Sequence, residues 1–211
     1  MIISHHHKFI FFAVPKTATH TIREALRAHL GRDDWEQQVL FGRQSLPIPQ
    51  LARLGHGHIS VREIQPHLDP QQWRDYFKFG FVRNPFDRFV SSCFFLNREN
   101  ADFARTAQAF MKDRLRRPRF QQRILIRPQY LQLCDADGRV ALDFIGRCEA
   151  LQQSYDVICD RIGIPSTELG VSNASGHEDY NSYYDAELRQ LVAAFYADDL
   201  RIFDYPDGLQ A

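Results

Sequence analysis

Residues Lys8–Val14 are apolar at every position after the lysine, the pattern of a strand buried on both faces of a parallel sheet. A second run of this kind, Phe77–Val82, follows a helical turn predicted over Trp73–Tyr76. Each run feeds a segment of helical period. After the first, Ile22, Ala25, Leu26 and Leu30 share one face, with Thr19 or Thr21 placed to cap the helix and Gly31 to stop it. After the second, Phe86, Phe89, Val90, Cys93 and Phe94 recur at helical spacing, and Pro85 suits a first turn.

Between these units, 42–49 reads as a loop and 51–60 as a short strand and turn. Residues 101–134 read as helical and basic, broken at Pro118 and Pro128. Asp137-Gly138 marks a turn before a third strand, Val140–Ile145. Ala150–Ile162 is an amphipathic helix ended by Gly163 and Pro165, 166–182 a polar loop, and Ala186–Tyr196 the last helix. Strands alternating with helices predict an α/β fold, a three-layer sandwich with a central parallel sheet. At 211 residues the chain is read as a single domain, 1–211, with a basic helical insertion at about 101–134.

Charge sharpens this picture. The formal net charge is zero, yet residues 1–127 carry 21 Lys and Arg against 11 Asp and Glu, and residues 128–211 carry 5 against 15. Anion chemistry is therefore expected in the first segment. Basic residues interleaved with stacking aromatics are not evident, which argues against a nucleic-acid partner. No apolar run is long enough to span a bilayer. Cys93, Cys134, Cys148 and Cys159 lie far apart without a Cys-x-x-Cys pair, so they read as buried thiols in a reducing, cytoplasmic setting. His5-His6-His7 leads directly into the first strand and reads as native sequence.

The chemistry gathers after the two buried strands. The first runs into Pro15-Lys16-Thr17-Ala18-Thr19-His20-Thr21, where a helix start, one ammonium and three hydroxyls can hold an anion. The alternative is an ordinary strand–helix turn with a capping Thr. The second is followed by Arg83 and, eight residues on, Ser91, a guanidinium fork and a hydroxyl able to grip one phosphate. Taken singly, Arg83 could pair with Asp87, and Ser91 could be a small residue at a helix contact. Two strand–loop–helix anion sites in one small domain suit a ligand with phosphates at both ends. His56-Gly57-His58 adds two imidazoles on one side of an extended segment, suited to deprotonating an alcohol. The alternatives there are a metal pair or core histidines. The segment holds no third Cys, His or carboxylate, so no metal site is expected.

Pro15-Lys16-Thr17-Ala18 with Arg83 and Ser91 resembles the carbohydrate sulfotransferases that use 3′-phosphoadenosine 5′-phosphosulfate. Asp143-Phe-Ile-Gly-Arg-Cys-Glu149, Tyr183-Tyr-Asp-Ala-Glu-Leu-Arg189 and Asp199…Phe203-Asp-Tyr205 agree with it, so the likeness covers about residues 8–206. It implies a sulfotransferase fold related to the P-loop kinases, with that nucleotide as co-substrate and no metal requirement. It also implies that Lys16, Thr17, Ala18, Thr19, His20 and Thr21 hold the 5′-phosphosulfate, and Arg83 and Ser91 the 3′-phosphate. His20 stands where the family loop commonly has Thr.

His-Gly-His segments are similar to those of the uronyl 2-O-sulfotransferases. That likeness implies His58 as catalytic base, His56 as its support and Lys16 as the charge that steadies the leaving group. The acceptor implied is a hydroxyl of a saccharide or glycolipid, and the basic run from Arg105 to Arg127 is either a solvated face or a groove for an anionic one. A loop over the adenosine is expected at 172–180. Two other classes are a nucleotide or small-molecule kinase and a non-catalytic nucleotide- or glycan-binding module. The first would need a Gly-rich triphosphate loop and an acidic magnesium ligand, and neither is evident. The second could dispense with Lys16 and His58, and both are present.

Overall fold

The computed structural model describes residues 1–39, 43–170 and 179–207. Its strands are β1 (Ile2–Ser4), β2 (Phe9–Phe12), β3 (Trp35–Glu36), β4 (Phe77–Val82) and β5 (Phe144–Arg147). The helices are α1 (Thr19–Arg27), α2 (Pro49–Ala52), α3 (Val61–Ile64), α4 (Pro70–Asp75), α5 (Pro85–Leu96), α6 (Phe103–Leu115) and α7 (Pro118–Gln121). They continue with α8 (Tyr130–Leu133), α9 (Leu151–Ile162), α10 (Ala186–Phe195) and α11 (Ala197–Ile202). The chain divides into two compact units, Met1–Val82 with Tyr130–Ser172, and Arg83–Gln129 with Asn173–Ala211.

The first unit is built on a five-stranded sheet in the order β3-β1-β2-β4-β5. Its middle is parallel: Phe12 of β2 pairs with Gly80 of β4, and Val82 of β4 with Arg147 of β5. Strand alternation sends Phe9, Phe11, Phe79 and Phe81 to one face, where Ile22 and Leu26 of α1 and Ile158 and Ile162 of α9 cover them. On the opposite face a Cβ added at Gly80 would lie 3.2 Å from the side chains of Leu133 and Leu142, so glycine admits this second layer to the sheet. The result is the expected α/β sandwich.

The sheet departs from the purely parallel expectation at one edge, where β1 and β3 run antiparallel to their neighbours. Strands of three and two residues are too short to show a period. What holds the hairpin before β2 is Asp34, whose carboxylate accepts from the Ser4 hydroxyl at 2.6 Å and from the His5 backbone N–H at 2.6 Å.

Other boundaries move for local reasons. Residues 51–60 hold no strand. Pro49 opens α2 instead, and Gly55 (φ 66°) turns the chain toward Ser60, which forms a capping box with Glu63 at the start of α3. The third strand begins at Phe144, because Val140 bridges back to Cys134 and Asp143 is tied to the backbone of Lys78. α1 is capped by neither Thr19 nor Thr21. Its N-cap is Ala18, in the left-handed region, and the helix ends at Arg27, short of Gly31.

The second unit is helical. Phe103, Ala107, Met111 and Leu115 repeat every four residues along α6 and pack with Phe86, Phe89 and Val90 of α5 and Leu188 and Val192 of α10 in one apolar cluster. Pro118 begins α7, as its fixed φ and missing N–H favour. Much of the basic run is neutralised locally: Lys112 bonds Asp185 at 2.5 Å and Glu187 at 2.6 Å, Arg116 pairs with Glu187, and Arg117 with Asp113. The 172–178 part of the expected adenosine loop lies outside the described residues.

Candidate active site

The loop after β2 is shaped by two residues that are not glycine yet have positive φ, Lys16 (65°) and Ala18 (55°). Between them Thr17 is buried, and its hydroxyl donates to the Val14 carbonyl at 2.9 Å. That hydroxyl proton therefore fastens the loop to the strand end rather than reaching a ligand. Ile22 N–H bonds the Ala18 carbonyl at 3.1 Å, which starts α1 with no acidic residue in its first turn. Such a helix start, with its positive dipole end, favours an anion. Lys16, Thr17, Ala18, Thr19, His20 and Thr21 thus run from this loop into the first turn of α1. His20 lies 3.4 Å from Glu24 on the next turn.

His58 joins this loop through the end of β2. Its Nδ1 is 2.6 Å from the carbonyl of Ala13, three residues before Lys16. A carbonyl only accepts, so Nδ1 carries the proton and Nε2 keeps the lone pair. Burial, the largest cause, pushes the imidazole pKa from 6.5 down to about 3, against the opposing pull of the Ala13 bond. His58 is therefore neutral in the free protein at physiological pH. His56 follows its ring at a centroid distance of 6.1 Å, and the His56 carbonyl accepts from Gln37 Nε2 at 2.8 Å.

The glycine between the two histidines is dictated by space: a Cβ on Gly57 would sit 2.0 Å from the Gln37 carbonyl oxygen. Two further residues support His58 without any mark in the sequence. Gln132 donates to the same Ala13 carbonyl at 2.9 Å, and the buried Arg23 donates to Gly57 O at 3.2 Å. Burial lowers the pKa of Arg23 to about 10, which still leaves it charged.

In the helical unit, Arg83 precedes α5 and Ser91 lies within it. Arg83 meets Asp87 as a fork, Nε and Nη2 each 2.7 Å from a carboxylate oxygen. The pairing open to it on sequence grounds is thus realised, and it takes two of the five guanidinium N–H donors. Asn84 caps α5 by accepting from Phe86 N–H at 2.9 Å. The Ser91 hydroxyl is fully buried and has no hydrogen-bond partner among the described residues. An unsatisfied buried hydroxyl costs about 1–3 kcal/mol, and a phosphate oxygen is a ligand that would satisfy it. Gln129, which sequence reasoning passed over, bonds both backbone groups of Arg83.

Parallel strands that end in loop-to-helix turns, with a neutral imidazole fixed at one strand end, place this chain among the α/β proteins, whose ligands gather at strand ends. A family model described as the sulfotransferase family matches residues 1–206, and the chain belongs to that family. Membership implies sulfuryl transfer as the general activity. No curated protein and no solved structure matches the chain. Among the described residues no group of three or more His, Cys, Asp or Glu is arranged to hold a metal ion, and no helix is long and apolar enough to cross a membrane.

Proposed function

We propose that the protein moves a sulfuryl group from 3′-phosphoadenosine 5′-phosphosulfate to a hydroxyl of a saccharide or glycolipid, with His58 as general base. The observation that carries this is the 2.6 Å bond from His58 Nδ1 to Ala13 O, which presents Nε2 as a proton acceptor beside the loop of Lys16. The buried Ser91 hydroxyl, without a hydrogen-bond partner among the described residues, supports assigning the 3′-phosphate to Ser91 and Arg83.

The acceptor hydroxyl gives its proton to His58 Nε2 as its oxygen forms the new bond to sulfur. The bond from sulfur to the oxygen bridging it to the 5′-phosphate breaks, and that oxygen leaves as part of the phosphate of adenosine 3′,5′-bisphosphate. Lys16 offsets the charge growing there, and the loop N–H groups with Thr19 and Thr21 hold the phosphate. A base with a pKa near 3 is weak. The donor's negative charge, once bound nearby, raises the imidazole's proton affinity toward the useful range. His56 shapes the acceptor side of the segment. Arg119, Arg123 and Arg127, exposed and without an ion pair among the described residues, suit an acceptor bearing carboxylates or sulfates. The four free thiols fit a reducing, cytoplasmic setting.

Calorimetric titration with adenosine 3′,5′-bisphosphate in EDTA tests the reading. Tight binding without metal supports it. Binding of ATP with magnesium, and none of the bisphosphate, overturns it in favour of a kinase.

A further inference from the structure

The C-terminal stretch Asp199…Phe203-Asp-Tyr205 has no part in the transfer step, yet Asp199 is fully buried within the helical unit. A carboxylate is not left in such a place without polar partners. One of its partners is Gln129: Asp199 Oδ2 accepts from the Gln129 backbone N–H at 2.8 Å and lies 3.4 Å from Gln129 Nε2. Gln129, itself 1% exposed, turns its amide onto the main chain of Arg83. Its Oε1 accepts from Arg83 N–H at 3.0 Å, and its Nε2 donates to Arg83 O at 2.9 Å. A primary amide that meets both the N–H and the C=O of one residue imitates a neighbouring strand. It fixes the peptide units on both sides of that residue.

Arg83 needs this support. It follows the last residue of β4 and precedes Asn84 and Pro85 of the α5 cap, where the sheet ladder has ended and the helix bonds have not begun. The Asp87 fork orients the guanidinium, but a fork on a wandering backbone aims nowhere. Gln129 holds the other end of the residue, and Asp199 on α11 holds Gln129.

We propose that Gln129 is a positioning residue for 3′-phosphate recognition, through which Asp199 of the C-terminal helix fixes the aim of Arg83. This rests on the assignment of Arg83 to the 3′-phosphate. Gln129 touches no ligand in this account. Its effect is confined to the contribution that the 3′-phosphate makes to binding, which separates it from a residue that only supports the fold.

The test compares the dissociation constants of adenosine 3′,5′-bisphosphate and adenosine 5′-monophosphate in the full chain. Wild-type protein should prefer the bisphosphate, and the ratio measures the grip on the 3′-phosphate. Gln129→Met keeps the side-chain volume and removes both bonds to Arg83. The ratio should fall by about tenfold or more, in line with one charge-assisted hydrogen bond, while the monophosphate constant stays within about twofold. Asp199→Asn keeps the side-chain volume and an oxygen acceptor for the Gln129 N–H but removes the charge behind it, so Gln129 is held less firmly and the ratio should fall by less. If Gln129→Met does not fold by circular dichroism, Asp199→Asn decides on the same ratio. A wild-type preference that survives intact in the folded variants overturns the role of Gln129 alone, as does equal weakening of both nucleotides. A wild-type protein with no preference overturns the assignment of Arg83, and this role with it.

Discussion

Replacing His58 by Gln separates the base from its tether. A glutamine amide retains an N–H donor for the Ala13 carbonyl and leaves no large cavity, but it cannot take up a proton. General base catalysis contributes about 10²- to 10⁴-fold, so turnover should fall by that factor, or about 3–5 kcal/mol in barrier height. Affinity for adenosine 3′,5′-bisphosphate should change only a few-fold, because the proposed mechanism sets His58 against the acceptor and not the nucleotide. The assay is chromatographic release of the bisphosphate from the donor with a panel of uronic-acid-containing oligosaccharides. Turnover within about fivefold of wild type would place the base elsewhere.

The same variant tests the electrostatics. In the unfolded chain His58 takes a proton below pH 6.5, whereas in the folded protein burial holds it neutral until about pH 3. Between these values the unfolded state binds one more proton at this site. His58 therefore lowers wild-type stability by about 1.4 kcal/mol for each pH unit of acidification below 6.5, and it has no such effect above 6.5. Denaturant unfolding at pH 6.5, 5.5 and 4.5 should give a wild-type curve steeper than that of His58→Gln by this slope. Parallel curves would show that the imidazole titrates alike in both states, and the account of its burial would be wrong.

Two further outcomes are expected. Ser91→Ala removes a buried hydroxyl that bonds nothing among the described residues, so denaturant stability should hold or rise by up to about 1 kcal/mol while bisphosphate affinity drops about tenfold or more; unchanged affinity by calorimetry would remove Ser91 from the site. Gly57→Ala forces a Cβ to 2.0 Å from the Gln37 carbonyl, so the segment must shift, costing more than about 2 kcal/mol of stability and most of the activity; a denaturation midpoint equal to wild type would refute the close approach.

What could be read from the sequence was what repeats. β2 and β4 announce themselves because both faces are covered and no polar position interrupts the run for long. α5 and α9 do so through their apolar stripes and their punctuation by Pro85 and Gly163. β1 and β3 are shorter than any period, and their existence depends on Asp34, which no local pattern ties to residues 4–6. The site divides along the same line. Lys16, Thr17, Arg83 and Ser91 stand next to legible elements and could be named, whereas His58 is read from the His-Gly-His spacing although the segment around it holds no strand. Gln129, Gln132 and Arg23 act over separations of 34 to 119 residues. Two ordinary glutamines and one arginine carry no sign of the backbone carbonyls and amides they will meet.

The loop after β2 raises the question of how a proposed phosphate cradle could work without glycine. Lys16 and Ala18 both stand in the left-handed region, where a side chain costs about 1–2 kcal/mol per residue. Backbone that steps in and out of this region is the conformation that turns successive N–H groups to one side, as an anion requires. Strain of this kind persists only where the surroundings determine it, and here they do. Thr17, between the two, is buried and bonded to Val14 O, and Ala18 O is already taken by the first bond of α1. Glycine would relieve the strain at Ala18, but at Lys16 it would remove the ammonium as well. Under the proposed mechanism the lysine holds the strained position itself, because the charge assigned to the leaving group then sits where the chain turns. The absence of glycine is therefore compatible with anion binding: in this loop the buried threonine and the helix start impose the turn that glycine would otherwise permit.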